Sequence, residues 1–179
     1  MTKYLKILFT LLVVSLSACR TESEGGKPKV AEQIQDRPEQ IIVGANISFV
    51  DSNHTKAIMK ADSGFTYSLT ARTVLKQNIK VDFMSKESNA RISSLTADSL
   101  VIDDVSKDMT AYGNVVVHSD STYTTLTTKK LQWNNKERKL FSTEFVKIIS
   151  PNEVLQGYGF ESDEKLSYYK IFNASGGQR

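Results

Sequence analysis

From Ile41 onward, short runs of this chain alternate apolar residues with Thr, Ser, Lys and Asp, as in IIVGANISFV, IKVDF and NVVVHS. A two-residue period directs alternate side chains to opposite faces of a β-strand, one toward a core and one toward solvent. Polar clusters such as DDVSKD, NNKERK and ESDEK separate the runs and have the composition of turns. Because no segment after Gln40 keeps a helical period, the pattern predicts an all-β domain of antiparallel strands over residues 41–173, with a short tail at 174–179.

An internal repeat lies within this pattern. Residues 94–119 align with residues 125–150, so that Leu95 matches Leu126 and Ile102 matches Trp133. Repeats of this length indicate stacked supersecondary units, and here each unit is predicted to be strand, polar turn, strand. The units predict a long antiparallel sheet that folds over on itself with Leu, Val, Ile and Trp inside. Its interior has two alternatives, a closed packed sandwich or an open groove whose apolar walls accept a lipid.

The N-terminus has the layout of a secretory signal. Lys3 and Lys6 precede the apolar run 7–14, and small residues lead to Cys19, the one cysteine of the chain. The apolar run is too short to span a bilayer. The sequence therefore predicts export, and an ordinary cleaved signal or a retained helical anchor remains an alternative to a lipid anchor on the cysteine.

The four residues Leu16-Ser17-Ala18-Cys19 resemble the bacterial lipobox, in which cleavage precedes a cysteine that carries a diacylglyceryl group. The resemblance implies a signal peptide over residues 1–18 and lipidation of Cys19. Residues 19–40 are rich in Thr, Glu, Gly, Lys, Pro and Gln, which is typical of a flexible tether. Acyl chains bury about 0.8 kcal/mol per methylene, so two or more hold a protein on a membrane without a spanning helix.

The charge balance of the chain bears on its partners. The whole chain has 23 basic and 20 acidic residues, and removing the two lysines of the signal leaves 21 basic residues. Such a balance does not favour nucleic acid as a partner. With its cysteine lipidated, the exported domain has no disulfide, so packing and strand pairing must hold it together.

No constellation for catalysis or metal binding is present in the sequence. His54 and His118 lack a third ligand at metal spacing, and neither G-x-S-x-G nor H-E-x-x-H occurs. The acidic pairs Asp103-Asp104 and Glu161/Asp163 fall in predicted turns, where such residues serve backbone geometry. We therefore expect no catalytic residue, no metal and no cofactor, and the chain is not predicted to be an enzyme.

Three motifs follow one another from Ala111 onward: G-N-V-V-V, L-T-T-x-x-L-x-W-N, and L-x-G-x-G-F-E-S-D-x-x-L. In this order they resemble the LptC-type periplasmic component of lipopolysaccharide export, which is related to the organic-solvent-tolerance and Lpt bridge domains. The resemblance covers residues 44–172. It implies an open, twisted β-jellyroll of antiparallel strands, folded over into a V-shaped apolar groove that holds the acyl chains of lipopolysaccharide.

The resemblance also implies partners and a location. In that family the protein accepts lipopolysaccharide from an inner-membrane Lpt ABC transporter and passes it to a periplasmic LptA-type bridge protein of the same fold. Many members keep an N-terminal membrane helix, whereas this chain has a lipobox. We therefore expect a periplasmic, lipid-anchored protein on the inner membrane. The residues after the cysteine do not decide between the inner and the outer membrane, so anchoring to the outer membrane remains an alternative.

Two sets of residues are predicted to carry this function. We expect the inward positions to line the groove: Leu126, Leu131, Trp133, Leu140, Val146, Ile148, Leu155 and Phe160. The last apolar run, LSYYKIF, is predicted to be an uncovered strand that docks the bridge protein through an edge formed by Leu166, Tyr168, Tyr169 and Ile171. The rival hypothesis is a structural or assembly lipoprotein whose packed β-sandwich serves protein contacts alone.

Overall fold

The computed structural model describes residues 37–175, which form nine β-strands and one short 3-10 helix, Ser68–Thr70. The strands are β1 Gln40–Asp51, β2 His54–Tyr67, β3 Arg72–Met84, β4 Arg91–Asp103, β5 Met109–Ser119, β6 Thr125–Asn134, β7 Lys139–Ile149, β8 Val154–Asp163 and β9 Tyr169–Ser175. The all-β prediction is confirmed. No helix in residues 37–175 is long and apolar enough to cross a membrane.

All nine strands belong to one sheet in which the spatial order is the chain order, β1 to β9. Each strand pairs antiparallel with its neighbour in sequence. The sheet is open, because β1 and β9 are its two edges and each pairs on one side only within the described residues.

The turns between strands use a recurring side-chain cap. Asp103 Oδ1 accepts hydrogen bonds from the backbone N–H of Val105 at 2.9 Å and of Ser106 at 2.7 Å. Short polar side chains satisfy backbone donors in this way and so favour turns. Lys107 and Arg138, at equivalent positions of the repeat, both have left-handed backbone, with φ of 64° and 55°. The polar clusters of the sequence therefore encode the turns through specific hydrogen bonds.

A row of bulges crosses the sheet near the middle of the strands. The register shifts in each of the six pairings from β2–β3 to β7–β8. Left-handed backbone occurs in this row at Asn78 in β3, at Gly113 and Asn114 in β5, and at Gly159 in β8. A β-bulge bends its strand and increases the local twist. We name this row the crease, because the strands bend there and the sheet folds over.

The two halves of the folded sheet meet on the inside. Trp133, near the end of β6, lies 5.5 Å from the ring of Phe83 in β3 and 6.4 Å from that of Phe49 in β1, measured between ring centroids. Arg138 Nη2 donates a 2.9 Å hydrogen bond to the carbonyl oxygen of Met84. The prediction of one open, twisted sheet folded over into a jellyroll is confirmed, and in this structure the two halves are in contact.

The internal repeat corresponds to two hairpins, β4–β5 and β6–β7. Ile102 pairs with Met109 in the first hairpin, and Trp133 pairs with Leu140 at the same place in the second. The aligned apolar residues are all buried: Leu95, Leu100, Ile102, Met109, Val115, Val117, Leu126, Leu131, Trp133, Leu140, Val146 and Ile148. The repeat predicted from sequence is therefore a repeat of core positions.

The two members of the second acidic pair lie in different environments. Asp163 ends β8, and its Oδ1 accepts a 2.8 Å hydrogen bond from the backbone N–H of Ser167, which confirms its turn role. Glu161, however, lies inside β8 and forms an ion pair with Lys139 Nζ at 2.6 Å. The prediction that Glu161 lies in a turn is wrong, because the strand continues three residues further than the polar composition suggested.

Candidate functional site

The predicted groove residues share one continuous apolar interior. Seven of the eight are no more than 2% exposed: Leu126, Leu131, Trp133, Leu140, Val146, Ile148 and Phe160. Leu155, at the start of β8, is half-buried. Inward residues of the earlier strands, such as Met59 and Phe83, belong to the same core. The sheet therefore encloses apolar side chains from β1 through β8.

The interior is filled in this structure. The void beside Trp133, lined also by Phe83, Leu100, Leu131 and Leu140, has a volume of about 10 Å³. A single water molecule needs about that much space, so no acyl chain fits unless the walls separate. A larger depression of about 480 Å³ lies beside Phe145 and Tyr158, and none of the eight predicted groove residues lines it.

Trp133 is fixed by a buried carboxylate. Its indole Nε1 donates a 2.6 Å hydrogen bond to Glu164 Oε1, and Arg138 Nε donates a 2.8 Å bond to Glu164 Oε2. Glu164 is 3% exposed and lies in the turn between β8 and β9. Because both carboxylate oxygens have partners, this buried charge is paired as well as hydrogen-bonded.

Two opposing effects act on the carboxyl group of Glu164. Burial raises its pKa above the ordinary value of 4.5, and this effect outweighs the attraction of Arg138 and the hydrogen bonds from Arg138 and Trp133. Lys56 also lowers the pKa, to a smaller extent. Burial therefore disfavours the ionised carboxylate of Glu164, and pairing with Arg138 compensates for this only in part.

The predicted docking edge is only partly a strand. Leu166 lies in the turn before β9, with φ of 51°, and is 1% exposed. Tyr168 lies in the same turn and is 85% exposed. The prediction that the strand begins at Leu166 is wrong, because the left-handed backbone directs Leu166 into the core. Tyr169 and Ile171 belong to β9, and both are half-buried.

The two free edges differ in length and chemistry. β9 has seven residues and packs tightly on β8, where a side chain at Gly157 would collide with the carbonyl oxygen of Asn173. β1 has twelve residues, and Val43 on its outward face is 87% exposed. An edge strand presents unpaired backbone N–H and C=O groups, so both edges offer strand addition to a partner.

Reasoning from the sequence missed Glu164 and Arg138. Glu164 lies in the polar cluster ESDEK, and Arg138 lies in NNKERK, both of which indicate exposed turns. Composition carries no signal for the burial of one charge within such a cluster. The signal available was indirect, since a buried tryptophan N–H requires an acceptor.

Other candidate chemistry is not assembled in the described chain. His118 is exposed and contacts Thr125 Oγ1 through Nδ1 at 3.1 Å. Residues 37–175 contain no group of three His, Cys, Asp or Glu side chains that could hold a metal ion. Cys19 and the predicted signal peptide lie outside the described residues.

Comparison with protein-family models gives a match over nearly the whole chain. The family model described as "Lipopolysaccharide-assembly, LptC-related" matches residues 5–176, a range that includes the entire sheet. A search of curated proteins finds no match.

Proposed function

Because the chain belongs to the LptC-related family of lipopolysaccharide-assembly proteins and has a role in lipopolysaccharide transport, we propose that it takes lipopolysaccharide from an inner-membrane ABC transporter and passes it to a periplasmic LptA-type bridge protein. The family consists of periplasmic components of the cell envelope and is not a family of enzymes. In this proposal the apolar interior of the folded sheet holds the acyl chains.

The observation that carries this proposal is the continuous apolar interior of a sheet that remains open. Inward side chains such as Leu131 and Ile148 form one core, while no strand joins β1 to β9 within the described residues. Each acyl methylene removed from water contributes about 0.8 kcal/mol, so an interior whose walls separate offers lipid a large driving force. The polar head group would stay outside, in water.

The position on the membrane is part of the proposal. Lipidation of Cys19 would anchor the domain to the periplasmic face of the inner membrane, beside the transporter. β9 would dock the bridge protein edge to edge, with Tyr169 and Ile171 in the docking strand, so that two interiors become continuous. β1 is the alternative docking edge.

The experiment that tests the function is site-specific photo-crosslinking in cells. A photoreactive residue at Ile148 or Leu131, on the inward face, should capture lipopolysaccharide. The matched controls are Lys147, the outward neighbour of Ile148 on β7, and Lys129 on β6. Equal capture at inward and outward positions would reject the interior as the lipid site.

A second function is favoured by the filled interior. A void of about 10 Å³ is what a packed β-sandwich used for protein contacts would have. In that case Ile148 and Leu131 would capture no lipid, while photoreactive residues on β1 or β9 would still capture proteins. The same set of variants therefore separates the two functions.

A further inference from the structure

The turn between β8 and β9, residues 164–168, closes one end of the apolar interior. Leu166 belongs to the core, and Glu164 is hydrogen-bonded to Trp133, which lines the remaining void. Outward movement of this turn would remove Leu166 from the core and release Trp133. The turn therefore lies where a path into the interior would begin.

Hydrogen bonds outside the strand ladders hold this turn. Ser119 Oγ donates a 2.6 Å bond to the carbonyl oxygen of Lys165, and Thr122 Oγ1 donates a 3.2 Å bond to the same oxygen. Residues 164–168 belong to no strand. The bonds of Glu164 to Trp133 and Arg138 hold it as well, so side-chain bonds take the place of strand pairing here. Segments outside paired strands open locally more readily than the strands do. Opening this end of the interior breaks no strand pairing, and seating a whole acyl chain still requires the walls to separate.

Two features of the turn oppose its closed conformation. Leu166 has left-handed backbone, which is unfavourable for a residue with a branched side chain. Glu164 brings a charge into the interior, where desolvation offsets much of the gain from pairing with Arg138. Closure therefore depends on the bonds to Trp133 and Arg138 being kept.

We propose that the β8–β9 turn is the entrance through which acyl chains reach the interior, and that Glu164 is a positioning residue that holds it shut through Trp133 and Arg138. This inference rests on the proposed transport function. Leu166 occupies the space that the first chain segment takes on entering.

A reversible staple across the turn tests the entrance. The variant carries Thr122→Cys and Lys165→Cys in a full-length Cys19→Ser chain, which has no other thiol, and a short cleavable thiol crosslinker joins the pair. The matched control carries Thr127→Cys and Lys147→Cys, which are register partners on the outward face of β6 and β7. The probe is dibrominated stearate, an acyl chain that quenches tryptophan fluorescence, and Trp133 is the sole tryptophan.

Stapling at the turn should slow quenching of Trp133 at least about tenfold, and cleaving the staple should restore the rate. The control staple should leave the rate unchanged. Equal rates with the turn stapled and free would overturn the proposal. Absence of quenching in every form would reject lipid binding by the interior, and with it both the proposed function and its entrance.

Glu164→Ala tests the positioning residue itself. Alanine removes both carboxylate oxygens, so Trp133 and Arg138 lose their acceptor, and uptake of dibrominated stearate should be about tenfold faster. A residue with a purely structural role would lower stability without accelerating uptake. An uptake rate equal to that of the unsubstituted protein would contradict the role of Glu164.

Discussion

Asn114 Nδ2 donates a 2.9 Å hydrogen bond to Asp98 Oδ2 on the preceding strand, and Asn78 makes the same bond to Asp62 Oδ2 at 2.7 Å. The partners are sixteen residues apart in both cases. Both asparagines have left-handed backbone conformations, with φ of 42° for Asn114 and 49° for Asn78. Asparagine tolerates this backbone better than most residues, so the two pairs set the bulges that bend β3 and β5.

Replacing Asn114 by alanine should weaken the crease. The variant loses an exposed hydrogen bond and places a less tolerant residue in left-handed backbone, so the free energy of unfolding should fall by about 1–2 kcal/mol. Urea denaturation followed by Trp133 fluorescence measures the change. Asn114→Gly is the matched control, because it keeps the backbone freedom and loses only the bond to Asp98. Equal losses in both variants would show that the backbone conformation contributes nothing.

The pH dependence of stability should reveal the buried carboxyl group of Glu164. Because burial raises its pKa above 4.5, the folded protein binds this proton more tightly than the unfolded chain. The associated stability is present below about pH 4.5 and is lost as the pH rises through the folded pKa. The difference in unfolding free energy between the native chain and Glu164→Gln should therefore fall with rising pH. Arg138 and Lys56, the charged groups acting on Glu164, are unchanged in both proteins.

Asp120→Asn is a control for which the difference in unfolding free energy should change with pH in the opposite direction. The hydrogen bond from Arg91 lowers the pKa of Asp120 below its ordinary value of 3.8, so its contribution is present above that value and is lost as the pH falls. The difference between the native chain and Asp120→Asn should therefore rise with pH. A difference that rises with pH for Glu164→Gln as well would show that pairing with Arg138 outweighs burial.

Substitution of Cys19 tests the anchor. The native protein should incorporate a palmitate analogue in metabolic labelling, whereas Cys19→Ala should not, because lipidation at a lipobox requires the thiol. Fractionation should show the native protein with the membrane. Ser17→Ala is a suitable control, since it leaves the thiol in place. A native protein without label would end the lipobox interpretation.

Removal of β9 tests the docking edge. Ending the chain after Tyr168 deletes the strand but keeps the buried side chains of Glu164 and Leu166. Binding of the bridge protein, measured by crosslinking in cells, should weaken at least about tenfold because the backbone groups of the edge strand are lost. Ending the chain earlier, after Asp163, would remove the buried turn and confuse docking with unfolding.

Val43→Lys is the matched variant on the opposite edge. It places a charge on the outward face of β1, which should leave bridge binding unchanged if β9 is the docking strand. Normal binding by the truncated chain, together with weakened binding by Val43→Lys, would assign docking to β1 instead.

The fold was predictable because its signals are local and periodic. Alternation alone placed Leu126, Trp133 and Ile148 inward in the β6–β7 hairpin. The repeat placed the matching residues of the β4–β5 hairpin inward as well. The sequence predicted that the sheet folds over, but it did not predict all the residues at which the strands bend. Gly113 marks it, but Asn78 looks like an ordinary turn residue until the register of the paired strands is known.

The candidate site was harder to predict because its decisive contacts join residues distant in sequence. Trp133 and Glu164 are 31 residues apart, and nothing in the cluster around Glu164 distinguishes it from the exposed charges beside it. In the sequence alone, Leu166 also fits the alternating pattern of a strand. Only the left-handed backbone at that position shows that it turns inward.

Every backbone pairing in the sheet joins strands that are consecutive in the chain. Loops that close such pairings are short, so the entropy cost of each pairing is small and the sheet can grow one hairpin at a time. β9 has no neighbour to pair with until β8 is in place. The C-terminal edge therefore exists only on a completed domain, and a partner that recognises this edge would discriminate between finished and unfinished molecules.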